Sequence, residues 1–199
     1  METDLQPRAD NAICFTGVAR KATMNKEQLD QYIKDHIQGV FGEYEVFKEE
    51  VSKLKPGQIY LEIGVDEGKS MTVAHHYAKK GVYIIGIDFH DVPPHKVSIG
   101  RGPFAESQGI IGHKKPGFFV HGDADVFSEL WDVDIDLLFI DGGHSYEEVK
   151  ENTLNWERFV PPGGTILFHD TDSPGVMDWL NEHYSNWENI GDKIGRVRM

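Results

Sequence analysis

Cysteine is almost absent from this chain: Cys14 is the only one in 199 residues. No internal disulfide can form, and the expected setting is reducing and cytoplasmic. No apolar run approaches the roughly 20 residues of a membrane span. The opening METDLQPRAD has none of the apolar core of a secretion signal. Basic charge is scarce, with 20 Lys and Arg against 33 Asp and Glu, for a formal net charge of −13. A field of that sign repels phosphate backbones and anionic bilayers. Nucleic acid and membrane surfaces are therefore not expected as partners, and a neutral, polar or cationic small molecule is. Repeats and low-complexity tracts are missing too. Histidine, by contrast, is plentiful at ten residues, several beside Asp, Gly or Pro where loops form. For most of them a solvated loop position is the simpler reading.

The apolar pattern divides the chain into three parts: an arm over 1–24, a helical stretch over 25–54, and an α/β domain over 55–199. In the second part Leu29, Tyr32, Ile33, Ile37, Val40 and Phe41 recur at three- and four-residue spacing, and after Gly42 so do Val46, Phe47, Val51 and Leu54. This stripe suits either a lid or the contact of a homo-oligomer. From Lys55-Pro56-Gly57 onward, short apolar strands alternate with helices. Strands are predicted at 59–64, 82–88, 118–120, 135–141 and 164–169. Helices are predicted at 70–80, 126–131, 146–159 and 176–184, with two short strands within 187–199. Continuous apolar strands separated by helices specify a parallel sheet covered on both faces. Ligands of such sheets bind beyond the carboxyl ends of the strands. Those ends carry Glu62 and Gly64, Asp88, Asp123, Asp141, and His169 with Asp170. The segment 89–117 holds four prolines, five glycines and three histidines in 29 residues. It reads as a flap over the site or a disordered insert.

The turn after the first strand is Glu62-Ile63-Gly64-Val65-Asp66-Glu67-Gly68-Lys69-Ser70. Gly64 permits a sharp turn and close approach of a ligand to the backbone. A dinucleotide fingerprint would place glycines at 64, 66 and 69, but 66 is Asp and 69 is Lys. The Asp66 carboxylate would face and repel a pyrophosphate. S-adenosylmethionine (SAM) carries no phosphate, and its sulfonium and ammonium are cationic, so acids in this turn favour it over NAD. Asp88, 24 positions after Gly64, can accept the hydroxyl protons of a ribose.

These segments, together with Gly86-Ile87-Asp88 and Gly122-Asp123-Ala124, resemble the class I SAM-dependent methyltransferases. The string Phe139-Ile140-Asp141-Gly142-Gly143-His144-Ser145-Tyr146-Glu147-Glu148-Val149 is more specific. With Pro162-Gly163-Gly164 and Phe168-His169-Asp170-Thr171, it resembles the branch of the macrocin and mycinamicin sugar O-methyltransferases and the cephalosporin-tailoring methyltransferase. The resemblance spans about residues 55–185. It implies a Rossmann-like, seven-stranded, mostly parallel sheet whose last strand is antiparallel. It implies cofactor contacts from Glu62, Gly64, Ser70 and Asp88, with Asp66 and Gly68 in the same turn and Asp123 and Ala124 at the adenine edge. It implies a divalent metal, magnesium or manganese, at the positions of Asp141, His169 and Asp170, and a catalytic base at His144.

Position 169 departs from that pattern, because the relatives carry an acid there. Magnesium prefers oxygen ligands. A histidine either turns the preference toward manganese, iron or zinc, or is no ligand, or the site binds no metal. Simpler roles stand beside the catalytic ones: His144 as a cap of the helix after Ser145, where Ser145 and Glu148 form a capping-box pattern, and Asp170 as a cap of the following helix. The expected activity is SAM-dependent O-methylation of a sugar or other polar small molecule. The rival expectations are an NAD-type Rossmann oxidoreductase and a non-catalytic SAM-binding protein.

Overall fold

A computed structural model describes residues 26–35, 43–66, 68–88 and 117–199. The expected arm over 1–24, nearly all of the expected flap over 89–117, and residues 36–42 of the helical stripe lie outside them. Two helices precede the sheet: α1 (Lys26–Ile33) and α2 (Tyr44–Lys53). Then follow β1 (Ile59–Ile63), α3 (Lys69–Tyr77), β2 (Tyr83–Asp88) and β3 (Gly117–His121). Next come α4 (Ala124–Ser128), β4 (Leu137–Ile140), α5 (Tyr146–Trp156) and β5 (Thr165–Phe168). The chain ends with α6 (Pro174–His183), β6 (Glu188–Asn189) and β7 (Gly195–Arg198). The predicted helix over 146–159 stops at Trp156 and tightens into a 3₁₀ turn over Glu157–Phe159.

The seven strands order as β3-β2-β1-β4-β5-β7-β6. The first five are parallel, and β7 runs antiparallel to both β5 and β6. This is the Rossmann-like methyltransferase architecture that the resemblance implies. The order reverses direction between β1 and β4, so the carboxyl ends of these two strands flank the crevice where such sheets bind ligands.

Successive strand residues point to opposite faces, and two cores result. On one face Tyr60, Phe139 and Leu167 pack with Phe47 and Val51 of α2 and Val73 and Ala74 of α3. On the other, Leu61, Leu138, Ile140, Ile166 and Phe168 pack with Val149 and Trp156 of α5 and Trp179 and Leu180 of α6. Trp156 and Trp179 are thus core residues, which the buried face of each helix requires. Ile33 of α1 is fully buried in the first cluster, so α1 is docked on the domain. No helix among the described residues is long and apolar enough to cross a membrane.

One buried charge ties the helical lead-in to the last strand. Glu50 of α2 is almost fully buried and meets Lys53 Nζ at 2.9 Å, Arg196 Nη1 at 2.6 Å and Arg198 Nη2 at 3.0 Å. Burial alone would raise its pKa, but hydrogen bonds from Lys53 and Arg196 and the charge of Arg198 outweigh that and hold it below the usual range. Its contribution to stability is therefore present above the ordinary carboxylate pKa and is lost as pH falls through the lowered folded value. Replacing Glu50 with alanine is expected to cost about 2 kcal/mol near neutral pH. Thermal melts should show the gap from wild type narrowing below about pH 4.

Candidate active site

The turn after β1 builds the first wall of the site. Gly64 has φ +84°, and a Cβ there would run into the carbonyl oxygen of Asp141. Only glycine lets the β1 turn lie against the end of β4 this closely. The amides of Val65 and Asp66 both donate to Asp88 Oδ2, at 2.6 and 2.7 Å. The carboxylate at the end of β2 thereby shapes the turn as well as facing the crevice. Asp66 itself sits at φ +44°, a left-handed conformation that Asp tolerates better than most residues.

These elements enclose a cavity of about 420 Å³. Five of the expected cofactor residues line it: Gly64, Asp66, Asp88, Asp123 and Ala124. Asp141, Asp125, Glu148, Glu151 and Asn152 complete the polar lining. That makes seven carboxylates, with no Lys or Arg among the described lining residues. A polyphosphate would be repelled from such a wall and a cation drawn to it.

Glu62, Gly68 and Ser70 do not reach this cavity. Glu62 is fully buried behind it, accepting from the Tyr60 hydroxyl at 2.5 Å and from the Ser70 hydroxyl. Gly68 opens α3 as its N-terminal cap at φ +75°. These three support the wall of the site without lining it, because β1 side chains alternate and Glu62 falls on the face covered by α3.

Beyond Asp141 lies a second cluster. His169 Nδ1 is 2.9 Å from Asp141 Oδ1 and 3.4 Å from Asp170 Oδ2, and His169 Nε2 is 3.5 Å from Glu43 Oε2. His144 Nε2 lies 2.9 Å from Asp170 Oδ2, and Lys193 Nζ lies 3.6 Å from Asp170 Oδ1. Burial pulls the His169 pKa down, but the Asp141 bond and the charges of Asp141, Asp170 and Glu43 push it up to about 9. The two capping roles fall to other residues. Ser145 caps α5 in a complete capping box with Glu148, and Ser173 is the N-cap of α6. Asp170 instead turns the chain at φ +50°, while the half-exposed His144 ring pairs with it. Below them Gly175 packs against the backbone at His144 and Tyr146, where a Cβ would come within 2.5 Å.

The expected metal ligands were Asp141, His169 and Asp170. The three that bring single ligand atoms within 4.8 Å of one another are Asp141, His144 and Asp170. His169 stands between the two acids, its Nδ1 2.9 Å from Asp141 Oδ1 and 3.4 Å from Asp170 Oδ2. Magnesium takes six oxygens in near-ideal octahedral geometry. Here the group offers two carboxylates and an imidazole, and each acid already faces a histidine nitrogen at 2.9 Å. Two carboxylates suit magnesium when waters complete its shell, and the added imidazole suits manganese, iron or zinc.

Several site residues escaped the sequence reading. Glu148, Glu151 and Asn152 share one face of α5 at three- and four-residue spacing, a signal that was readable once Asp141 was in hand. Glu43 approaches from 126 positions away and Lys193 from the β6–β7 turn, and no local pattern announces them.

A methyltransferase-domain family model matches residues 61–171, more than half of the chain, and the chain belongs to that family. Among solved structures, it is similar to CalS11, a TDP-rhamnose 3'-O-methyltransferase of calicheamicin biosynthesis. Identity is 16%, with 86% of this chain and 84% of that one covered, at a TM-score of 0.59. It is similar to the mycinamycin-pathway methyltransferase MycE, solved with Mg, SAH and mycinamycin VI, at 14% identity and a TM-score of 0.58. That match covers 88% of this chain and 54% of MycE. It is also similar to an O-methyltransferase from Bacillus cereus in complex with SAH, at 14% identity, 86% and 97% coverage, and a TM-score of 0.52. At these identities the likeness is one of fold. A curated protein of Sinorhizobium fredii, y4gI, is 38% identical over 48 residues, which are 24% of this chain and 5% of that protein.

The buried Glu62 carries a pH signature. Burial is the largest influence on it and raises its pKa to about 8, against the lowering hydrogen bonds of Ser70 and Tyr60. A folded pKa above the unfolded one means that stability is greatest below the ordinary carboxylate range and declines as pH rises toward 8. Glu62→Gln removes that titration. Its melting temperature should gain on wild type between pH 5 and 8, by the equivalent of roughly 3 to 5 kcal/mol. Parallel pH profiles for the two proteins would refute this trapped carboxyl.

Proposed function

We propose that this protein is a SAM-dependent O-methyltransferase acting on a hydroxyl of a polar small molecule, with a sugar or a sugar-bearing natural product as the acceptor. The observation that carries the reading is the seven-carboxylate cavity at the β1–β4 crevice. It suits a cationic, phosphate-free cofactor and opposes the pyrophosphate of NAD. Membership of the methyltransferase-domain family supports the same reading. The sugar acceptor draws on what CalS11 is named for. The low cysteine count favours a cytoplasmic setting.

Methyl transfer from a sulfonium is an in-line displacement whose leaving group is a neutral thioether, so no acid is needed to help it depart. The protein must align three atoms and remove the acceptor's proton. Asp141 borders the cofactor cavity and the histidine cluster alike. An acceptor hydroxyl resting beside Asp141 therefore lies near both the donor methyl and His144. The Asp170 carboxylate at 2.9 Å from His144 Nε2 orients the ring and stabilises it once it has taken the proton. Asp88 is the ribose-binding acid in this scheme, and Asp123 and Ala124 edge the adenine.

Calorimetry should show SAM binding to the wild-type chain and no binding of NAD. Asp88→Ala should weaken SAM binding about tenfold or more, since it removes a charged acceptor. His144→Ala should leave SAM affinity intact while transfer of labelled methyl to a panel of sugars and glycosides falls by about 10² or more. Unchanged turnover in His144→Ala would remove the base from the scheme.

A further inference from the structure

The turn between β5 and α6 grips His144 by both its ring and its backbone. Asp170 Oδ2 lies 2.9 Å from His144 Nε2, and the Ser173 hydroxyl donates to the His144 carbonyl at 3.2 Å. The Ser173 amide closes this turn on the Asp170 carbonyl at 2.7 Å. The Thr171 amide moors it to the β6–β7 turn through the Lys193 carbonyl at 3.1 Å. Ser173 is the N-cap of α6, where a serine side chain ordinarily accepts from a first-turn amide. Here it makes no such bond. Its hydroxyl holds the neighbouring segment instead, a local rule broken beside the candidate site.

Gly175, in the first turn of α6, lets the two segments meet. Alanine suits a helix better than glycine. A Cβ at 175, however, would lie 2.5 Å from both the His144 carbonyl oxygen and the Tyr146 amide nitrogen. Only glycine permits that approach. The contact continues along α6, where Tyr146 meets Trp179 edge-on at 5.8 Å between ring centroids and its hydroxyl donates to Glu182 at 2.6 Å. His144 is half-exposed. Exposed side chains exchange rotamers within nanoseconds, and every misaligned state is lost to the reaction.

We infer that Ser173 and Gly175 are positioning residues for His144, fixing its backbone so that its ring stays against Asp170. The inference rests on the methyl-transfer reading, in which His144 is the base. Both residues act through His144.

The test uses the full chain. Ser173→Ala should lower kcat for transfer of labelled methyl about tenfold and leave SAM affinity, read by calorimetry, unchanged. Ser173→Thr keeps the hydroxyl and should restore most of the rate. Gly175→Ala should lower kcat at least as far as Ser173→Ala. In a His144→Ala background, Ser173→Ala should cost nothing further, whereas a general loosening of the fold would add its own loss. Crystal structures supply a readout without turnover: one His144 conformer against Asp170 in the wild type, and a displaced or divided ring in Ser173→Ala. A wild-type kcat in Ser173→Ala, additive losses in the double variant, or an unmoved ring would each overturn the inference. Should Gly175→Ala fail to fold, Ser173→Ala decides alone, since it removes one exposed hydroxyl. A wild type that binds no SAM and transfers no methyl sinks the proposed function, and the crystal structures still decide whether the grip exists. Methyl transfer with an unmoved ring in Ser173→Ala sinks only this inference.

Discussion

Gly64 lets the turn after β1 press against the backbone of Asp141 at the end of β4, and much of the site follows from that contact. It brings the mouth of the cavity beside the histidine–carboxylate cluster, with Asp141 bordering both. A side chain at 64 would separate the two strand ends and part the cofactor wall from the groups proposed to act on an acceptor. The parallel sheet makes the contact available, because β1 and β4 are neighbours running in one direction with their ends in register.

The same geometry concentrates negative charge, and the protein handles it differently in the two halves of the site. In the cluster the acids are met internally, by His169 between Asp141 and Asp170 and by Lys193 at Asp170. In the cavity, the amides of Val65 and Asp66 satisfy part of Asp88, but the seven lining carboxylates have no Lys or Arg among the described residues of the wall. Converging like charges disfavour the empty site and favour a cationic ligand. Stability of the wall comes from behind it, where Glu62, Tyr60 and Ser70 form a closed hydrogen-bonded set.

Much of this was legible in the residue order, for reasons that differ from one element to the next. The strands around Leu61, Ile85, Leu138 and Ile166 could be read because parallel strands covered on both faces must be apolar almost throughout. Asp66, Asp88, Asp123 and Asp141 could be placed at the rim because each follows such a run. Glu62 could be placed at the carboxyl end of β1, but its direction depends on the pleat and on α3 above it, which turned it inward. His169 was grouped with the metal ligands because it aligns with an acid of related sequences. What it does here depends on Glu43, 126 positions away, which no local pattern connects to it.

Residue order alone settled the fold class, the acidic rim at the strand ends and the sign of its charge. These follow from local periodicity and composition, which need no knowledge of distant contacts. Folding in three dimensions settled which acids face the cavity, which lie behind it, and which of two histidines faces outward. Those assignments are set by side-chain direction and by the approach of α2 and the β6–β7 turn to the cluster. The α2 contacts join residues more than a hundred positions apart, and their balance of burial and charge exists only once the chain has packed.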